Sequence, residues 1–383
     1  MISGMVSGPL SGFRVVDLTN GWAGTSCTKV LSSYGADVIK IENPDGGDMA
    51  RNLVPWVFET FNGGKRSLTV DLREKAGQEI VRRLAKSSDV LVQSMRPGAL
   101  DEIGLGRAEL TAANPSLIYA SFSAFGSSGP SSHRRGVDSV VQAESGLAAI
   151  VGRVVDSVSV IDAAGGLALA QGILAALLLR ERSGVAEPVE VNLLDTAVYL
   201  QGALYTEFSA TGSTLDRESF DTVFPTVGTF EASDGPLYVA AYWPGDWATI
   251  CDLIGRPELV EDARFCDPAS RSANCDALRE EIGAEFKKKP RRQWVRDLER
   301  SGILAGERRS YADVLADEQV RHNETFESIR LADNRIVSIP RPPIRLGGRA
   351  MPALGAAPAL GEHTDSILQS LQNLATSEPA GNR

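Results

Sequence analysis

The sequence predicts an α/β fold: a parallel sheet covered by helices in a large first domain, followed by a smaller α+β domain. Three observations predict it. In the first half, short runs rich in Val and Ile alternate with segments of helical period. After about Gly202 the helices lengthen and the alternation stops. From Ile339 the chain turns Pro/Gly-rich before one last helical segment. Strands separated by helices form βαβ units, and their crossovers cover the faces of a parallel sheet.

The elements follow in order. "FRVVDLT" (Phe13–Thr19) reads as a buried strand, "AGTSCTKVLSSYG" as a helix that ends at Gly35, and "ADVIKIE" (Ala36–Glu42) as a second strand. "AGQEIVRRLAKS" carries apolar residues at helical spacing, and "DVLVQSM" (Asp89–Met95) and "SLIYASFSAFG" (Ser116–Gly126) are further strands. "PVEVNLLDTAVYLQGAL" adds a strand and a helix. In the small domain, "SANCDALREEIGAEFKKK" and "RRQWVRDLERSG" are helices, and "VGTFEASDGPLYVAAYW" is a hairpin that turns at Ser233-Asp234-Gly235. The predicted domains are 1–205, 206–324, and a segment 325–383 that returns to the first domain or to a partner subunit, because it has no core of its own. The last residues, "ATSEPAGNR", read as disordered.

Composition narrows the function. Of 383 residues 43% are hydrophobic and 23% charged, ordinary values for a soluble globular protein, and the net charge of −10 argues against a nucleic-acid partner. No apolar run free of breakers reaches the ~18 residues of a membrane span, since Gly165, Gly166, Gln171 and Gly172 interrupt the longest. The start "MISGMVSGPLSG" lacks a basic segment and an apolar segment, so no signal peptide is expected. Four cysteines without CxxC spacing suit reduced thiols in the cytoplasm, and three histidines make a metal site improbable.

The strand–turn–helix–strand layout is Rossmann-like, and Glu42 ends the second strand. The first turn nevertheless reads "NGWAGT" rather than GxGxxG, and GxxxxGK[ST] and GxSxG are absent. Dinucleotide, P-loop and serine-hydrolase readings lose their motifs. One acid stands out: Asp162 precedes "AAGGLALAQGILAALLL", where no other charge occurs. It reads either as a helix N-cap, worth about 1 kcal/mol, or as a catalytic carboxylate. A helix N-terminus offers N–H groups and a positive dipole end that keep a carboxylate ionised. Gly165 and Gly166 would then admit substrate and leave N–H groups for an oxyanion.

Several segments, in order, resemble one family. They are "LSGFRVVDLTNGWAGTSCTKVLSSYGADVIKIENPDGGDMAR", "FNGGKRSLTVDLREKAG", "DVLVQSMRPGALDEIGLG", "NPSLIYASFSAFGSSGP", "GVDSVVQAESGL", "IDAAGGLALAQGILAALLLRERSG" and "LGEHTDSIL". They are similar to the class III CoA-transferases, a group that also holds α-methylacyl-CoA racemase. The resemblance implies a Rossmann-like large domain, an interlocked homodimer, and acyl-CoA and a small carboxylic acid as substrates, with no tightly bound cofactor and no metal. It places the nucleophile on Asp162. The implied reaction forms an aspartyl anhydride, then an aspartyl-CoA thioester that the acceptor acid attacks.

The same resemblance puts CoA against Trp22, Ala23, Asn43, Val70, Arg73, Ser94, Met95, Arg96, Arg135 and Asp138. The family often carries arginine at the positions of Asn43 and Glu102, so Lys65, Arg66, Arg73 and Arg96 are the replacement candidates for holding phosphate, each also readable as a surface charge. A racemase would need histidine before Asp138, and this chain has Val137 there. His133 is displaced into a polar loop, and no second carboxylate is read near Tyr242 and Trp243. Asp138 either orients a neighbour or caps its own helix. "AAYWPGDW", with Trp243, Pro244 and Gly245, is a lid over the intermediate or a strand-end turn. A racemase or a CoA-binding protein without turnover remains the alternative to a transferase.

Overall fold

The computed structural model describes residues 8–214 and 216–377. It divides into two compact units. The first runs to Leu147, resumes over Val154–Gly202 and again from Gln319; the second comprises Ala148–Arg153 and Ala203–Glu318.

The first unit is built on six parallel strands: β1 (Arg14–Leu18), β2 (Asp37–Glu42), β3 (Arg66–Thr69), β4 (Val90–Gln93), β5 (Ile118–Ser123) and β6 (Val189–Asn192). Their order is β3-β2-β1-β4-β5-β6. The chain winds outward one way from β1 and then the other way from β4. A crevice therefore opens at the carboxyl ends of these two strands, where doubly wound sheets bind ligands. The connecting helices are α1 (Ala23–Ser33), α2 (Ala50–Leu53), α3 (Pro55–Asn62), α4 (Lys75–Lys86), α5 (Arg107–Ala113), α6 (Asp138–Glu144), α8 (Val160–Ser183) and α9 (Leu193–Leu200), whereas α7 (Leu147–Val151) falls, after its first residue, in the second unit.

The period-two alternation of the strands sends side chains to two cores. Val15, Val38, Val90, Val92, Ile118 and Phe122 pack with α1 and α8 on one face. Val16, Ile39, Leu68, Leu91 and Tyr119 pack with α4, α5 and the chain's last helix on the other. With both faces covered, the strands are nearly continuous apolar runs, which is why they are visible in the sequence. The edge strand β3 is not, because "RSLT" has four residues and a single large apolar one.

Helix α8 has 24 residues and is long and apolar enough, by length and composition, to cross a membrane. Its Ile161, Leu169, Ala170, Ile173, Ala176 and Leu177 are instead buried in the first core. Its glycines make that packing close. A Cβ on Gly165 would lie 2.8 Å from the Phe122 ring, one on Gly166 2.0 Å from Ser26 Oγ and 2.6 Å from the Ala23 carbonyl, and one on Gly172 2.7 Å from Val189. These positions carry neighbouring protein, not substrate, which corrects the expectation that Gly165 and Gly166 admit a ligand.

The second unit holds α10 (Gly202–Thr211), α11 (Arg217–Val223), β7 (Val227–Ala232), β8 (Gly235–Ala240), α12 (Asp246–Leu253), α13 (Pro268–Ala273), α14 (Cys275–Phe286), α15 (Arg291–Arg300), β9 (Leu304–Glu307) and α16 (Tyr311–Ala316), while α17 (Glu318–His322) falls, after its first residue, in the last stretch of the first unit. β7 and β8 form the expected hairpin, with Ala232 paired to Gly235, and β9 adds a third antiparallel strand. Trp247, Phe265, Phe286 and Trp294 dominate the core of this unit.

The tail contains β10 (Phe326–Arg330) and β11 (Ile336–Pro340), an antiparallel pair, then the short pair β12 (Arg345–Leu346) and β13 (Arg349–Ala350), and finally α18 (Thr364–Ser377). It returns to the first unit of its own chain. His363 N donates to Ser67 O at 3.0 Å, Thr69 N to Thr364 Oγ1 at 3.1 Å, and Ile367 and Leu371 enter the second core. Of the segment expected to be disordered, residues up to Ser377 are helical and 378–383 lie outside the described residues.

Candidate active site

Asp162 is not the N-cap of α8. Ser159 holds that position without a side-chain cap, and Asp162 is the third residue of the helix. The cap comes from another element. Asp138, at the start of α6, accepts the Ile161 N–H at 2.7 Å and the Asp162 N–H at 2.9 Å on one carboxylate oxygen. Gln142 Nε2 donates to the other oxygen, one turn along α6. Gln142 is itself fixed by Val155, whose N–H it accepts at 2.8 Å and whose carbonyl it reaches at 3.1 Å. Asp138 thus orients a neighbour rather than capping its own helix, where Val137 is the N-cap residue.

Val160 N also donates, to Val158 O at 3.0 Å, and Ala163 N begins the intrahelical ladder on Ser159 O at 3.0 Å. Of the four N–H groups that a helix leaves without intrahelical partners, those of Val160, Ile161 and Asp162 are thus paired. The N-terminus of α1 differs, because Trp22 supplies no side-chain cap. The Ala23 carbonyl lies against Gly166, so this uncapped end adjoins the first two turns of α8.

The Asp162 carboxylate accepts no hydrogen bond among the described residues and is half-buried. Burial raises its pKa and the nearby Asp138 charge raises it further, from 3.8 to about 7. This reverses the expectation of a strongly ionised acid. The positive end of α8 is occupied by a second carboxylate, so it does not favour charge on Asp162.

The predicted CoA residues divide into groups. Asn43, Val70, Arg73 and Met95 line one cavity of about 350 Å³ at the carboxyl ends of β1 to β4, together with Thr19, Asn20 and Asp48. Ser94 Oγ accepts the Asn20 N–H at 3.0 Å and so fixes the loop that floors this cavity. Met95 also borders a second cavity of about 310 Å³ with Gln93, Ser121 and Glu190. Trp22 and Ala23 stand apart at the head of α1, with the Trp22 ring 5.5 Å from that of Phe61. Arg135 is exposed in the loop before α6 and makes no ion pair among the described residues.

Two of the expected phosphate ligands are structural. Lys65 is buried, with Nζ 3.0 Å from Asp17 Oδ2, 2.8 Å from Thr28 Oγ1 and 2.9 Å from Asn62 Oδ1. Burial opposes the Asp17 charge, but Lys65, Lys40 and the Thr19 and Thr28 hydroxyls outweigh it and hold that carboxyl down at about 2. Arg66 forms a two-point contact with Asp37 at 2.8 and 2.6 Å. Arg73 and Arg96 are exposed but engaged, Arg73 by Asp71 at 2.7 Å and Arg96 by Glu102 at 2.6 Å. The sequence also hid Lys40, fully buried 2.8 Å from Asp48 Oδ2. A lysine inside "DVIKIE" was the available signal. Gln142, four residues after Asp138 and so on the same helical face, was another.

In the second unit, the exposed Trp243 stands edge-on to Tyr242, with ring centroids 6.2 Å apart. Asp246 Oδ2 accepts the Trp243 N–H at 2.9 Å, so this turn does hold a carboxylate where none was read. His133 is exposed, as expected of a loop residue.

A family profile described as "CoA-transferase family III" matches residues 10–364. Over 386 residues the chain is 35% identical to a probable fatty acyl-CoA transferase, Rv3272, of Mycobacterium tuberculosis, covering 94% of this chain and 97% of the relative. It is 32% identical to succinyl-CoA:glutarate CoA-transferase of Mus musculus, covering 95% and 86%. A crystal structure of a CAIB/BAIF family protein from Brucella suis superposes with a TM-score of 0.87 at 31% identity, covering 96% of this chain and all of that one.

Proposed function

The chain belongs to CoA-transferase family III, an enzyme acting on an acyl-CoA and a carboxylic acid, and we propose that it works through covalent intermediates on Asp162. One observation carries the reading. Asp162 is the one acid in the first turn of α8, it is relieved of capping duty by Asp138, and its carboxylate is raised toward neutrality. A carboxylate with a higher pKa is the better nucleophile and remains ionised in sufficient amount at neutral pH.

Asp162 attacks the donor thioester carbonyl; the carbon–sulfur bond breaks and CoA thiolate leaves, giving an aspartyl–acyl anhydride. The thiolate attacks the aspartyl carbonyl and expels the donor acid. The acceptor carboxylate then attacks the aspartyl-CoA thioester, again releasing thiolate. Thiolate attack on the acceptor's acyl carbon frees Asp162 and completes the new acyl-CoA. Each tetrahedral intermediate places charge on one oxygen. The uncapped N-terminus of α1, next to Gly166, is the group suited to receive it.

CoA is assigned to the crevice lined by Asn43, Val70, Arg73 and Met95, the position at which a doubly wound sheet holds a nucleotide. Incubation with acyl-CoA followed by hydroxylamine tests the scheme: Asp162 should be converted to its hydroxamate and detected by mass spectrometry. An unlabelled Asp162 in an enzyme that turns over would end the covalent reading. The exposed Leu167, Leu178 and Leu179 of α8 and Val198 and Leu200 of α9 support a homodimer that covers them. Sedimentation at low micromolar concentration should find a dimer, and a monomer would refute this.

A further inference from the structure

Two buried cations take no part in the chemistry assigned to Asp162. They border a cavity of about 180 Å³ between α1, α3, α8 and the chain just after β11, all within the first unit. Its walls are apolar, with Val30, Phe61 and Leu167 on the helices and Pro342 and Pro343 on the tail. Four polar side chains reach it: Ser26, Lys29, Thr60 and Arg341. The two hydroxyls are engaged elsewhere, since Ser26 Oγ donates to Ala23 O at 2.8 Å and Thr60 Oγ1 to Trp56 O at 2.7 Å.

The two cations are incompletely paired. Lys29 is 3% exposed, and its Nζ is buried without a hydrogen-bond partner. Glu327 Oε1 stands 3.6 Å away, close enough for charge attraction and too far for a hydrogen bond. The other oxygen of Glu327 accepts the Leu354 N–H at 2.8 Å. Arg341 donates through Nη1 to the carbonyls of Glu324 at 2.6 Å and Phe326 at 2.7 Å, but its Nε is buried without a partner. Both of its acceptors are neutral. Burial lowers the Lys29 pKa, Glu327 opposes the shift, and Arg341 adds to it. Two cations against one carboxylate leave one positive charge unbalanced beside apolar walls, and two donors open. Buried charge is costly unless paired, and a buried donor is costly unless an acceptor completes it.

We propose that Lys29 and Arg341 hold a small monovalent inorganic anion, of the chloride or nitrate class, that fastens the tail to α1. One negative charge brings the group to neutrality. A dianion such as sulfate would overshoot and leave net negative charge against the same walls. The volume equals about six water molecules at ~30 Å³ each, room for such an anion with part of its hydration. An ion that sheds water easily is favoured, because the apolar walls return no hydrogen bonds for those it loses. The anion would join α1 to the hairpin of β10 and β11, which carries Glu327 and ends beside Arg341. The site is independent of any covalent role for Asp162.

Scanning calorimetry of the full chain in sodium chloride, nitrate, fluoride and sulfate at equal ionic strength tests this. Chloride and nitrate should raise the melting temperature saturably over strongly hydrated fluoride, by about 5 °C at roughly 100 times the dissociation constant. Sulfate stabilises folded proteins in general, so its effect should be the same in wild type and variants. Lys29→Met leaves Arg341 and Glu327 in balance and should abolish the difference between chloride and fluoride. Glu327→Gln raises the net charge and should act in the opposite direction, tightening chloride binding about 10-fold or more. A wild type that melts equally in chloride and fluoride, an unaltered difference in Lys29→Met, or weaker chloride binding in Glu327→Gln overturns the proposal. If Lys29→Met does not fold, anomalous diffraction from bromide-soaked wild-type crystals decides: a peak between Lys29 Nζ and Arg341 Nε supports the site, and an empty cavity refutes it.

Discussion

Replacing Asp162 by asparagine should abolish transfer and, above neutral pH, stabilise the fold. The amide has nearly the same volume but cannot form an anhydride. The stability gain follows from linkage. In the folded chain the carboxyl pKa rises from 3.8 to about 7 through burial and the Asp138 charge. A raised acid favours its neutral form, so folding is unpenalised below the unfolded pKa and loses stability as pH rises through the folded one. The full shift of about three units would correspond to about 4 kcal/mol at ~1.36 kcal/mol per unit. Asp162 is only half-buried and solvent screens it, so we expect about 1–2 kcal/mol at pH 8. At ~2–4 °C per kcal/mol for a domain of this size, the asparagine variant should melt about 2–8 °C higher. The gap should shrink as pH falls from about 7 toward about 4. Thermal unfolding followed by circular dichroism across that range is the assay. An asparagine variant no more stable than wild type at pH 8 would refute the argument that its setting disfavours the charge.

Gly166→Ala would place a Cβ 2.0 Å from Ser26 Oγ and 2.6 Å from the Ala23 carbonyl, and should cost about 1–3 kcal/mol in chemical denaturation by forcing α8 off α1. Lys65→Met should destabilise by about 3–5 kcal/mol, since it strips the fully buried Asp17 of a cation 3.0 Å away; a stable variant with a raised KM for CoA would instead mark Lys65 as a phosphate ligand. The wild type should not exchange the α-proton of a 2-methylacyl-CoA in deuterium oxide, because the residue before Asp138 is Val137 and His133 is an exposed loop residue; rapid exchange would favour a racemase.

The sheet was legible because its strands are buried on both faces and read as Val- and Ile-rich runs, and α8 was legible as the long apolar stretch after Asp162. β3 escaped because an edge strand with one large apolar residue has no alternation to detect. The hairpin of β10 and β11 escaped because its Pro-rich surroundings read as an extended tail. At the site, Asp162 was visible through its isolation. Its relation to Asp138 was not, since the two are joined through backbone N–H groups that leave no mark on residue type. Lys65 was misread for a similar reason: a lysine beside an arginine looks like surface charge until Asp17, 48 residues earlier, is folded against it.

The accounting of N–H groups at α8 explains why the acid's position alone misled. A helix N-terminus lowers a carboxylate's pKa when its N–H groups are free to bond that carboxylate. Here Asp138 takes two of them, and the Val158 carbonyl takes a third. Asp138 therefore holds the first turn of α8 in place while consuming the stabilisation that the turn would otherwise give to Asp162. It also adds a second negative charge. Both effects suit the covalent route proposed for Asp162. The ground-state carboxylate is destabilised, so an anhydride or thioester, neutral at Asp162, would gain relative to it. The repulsion between the two acids would be relieved on acylation of Asp162 and return when it is freed. The arrangement costs folding stability at neutral pH, and that cost is what the asparagine variant should recover.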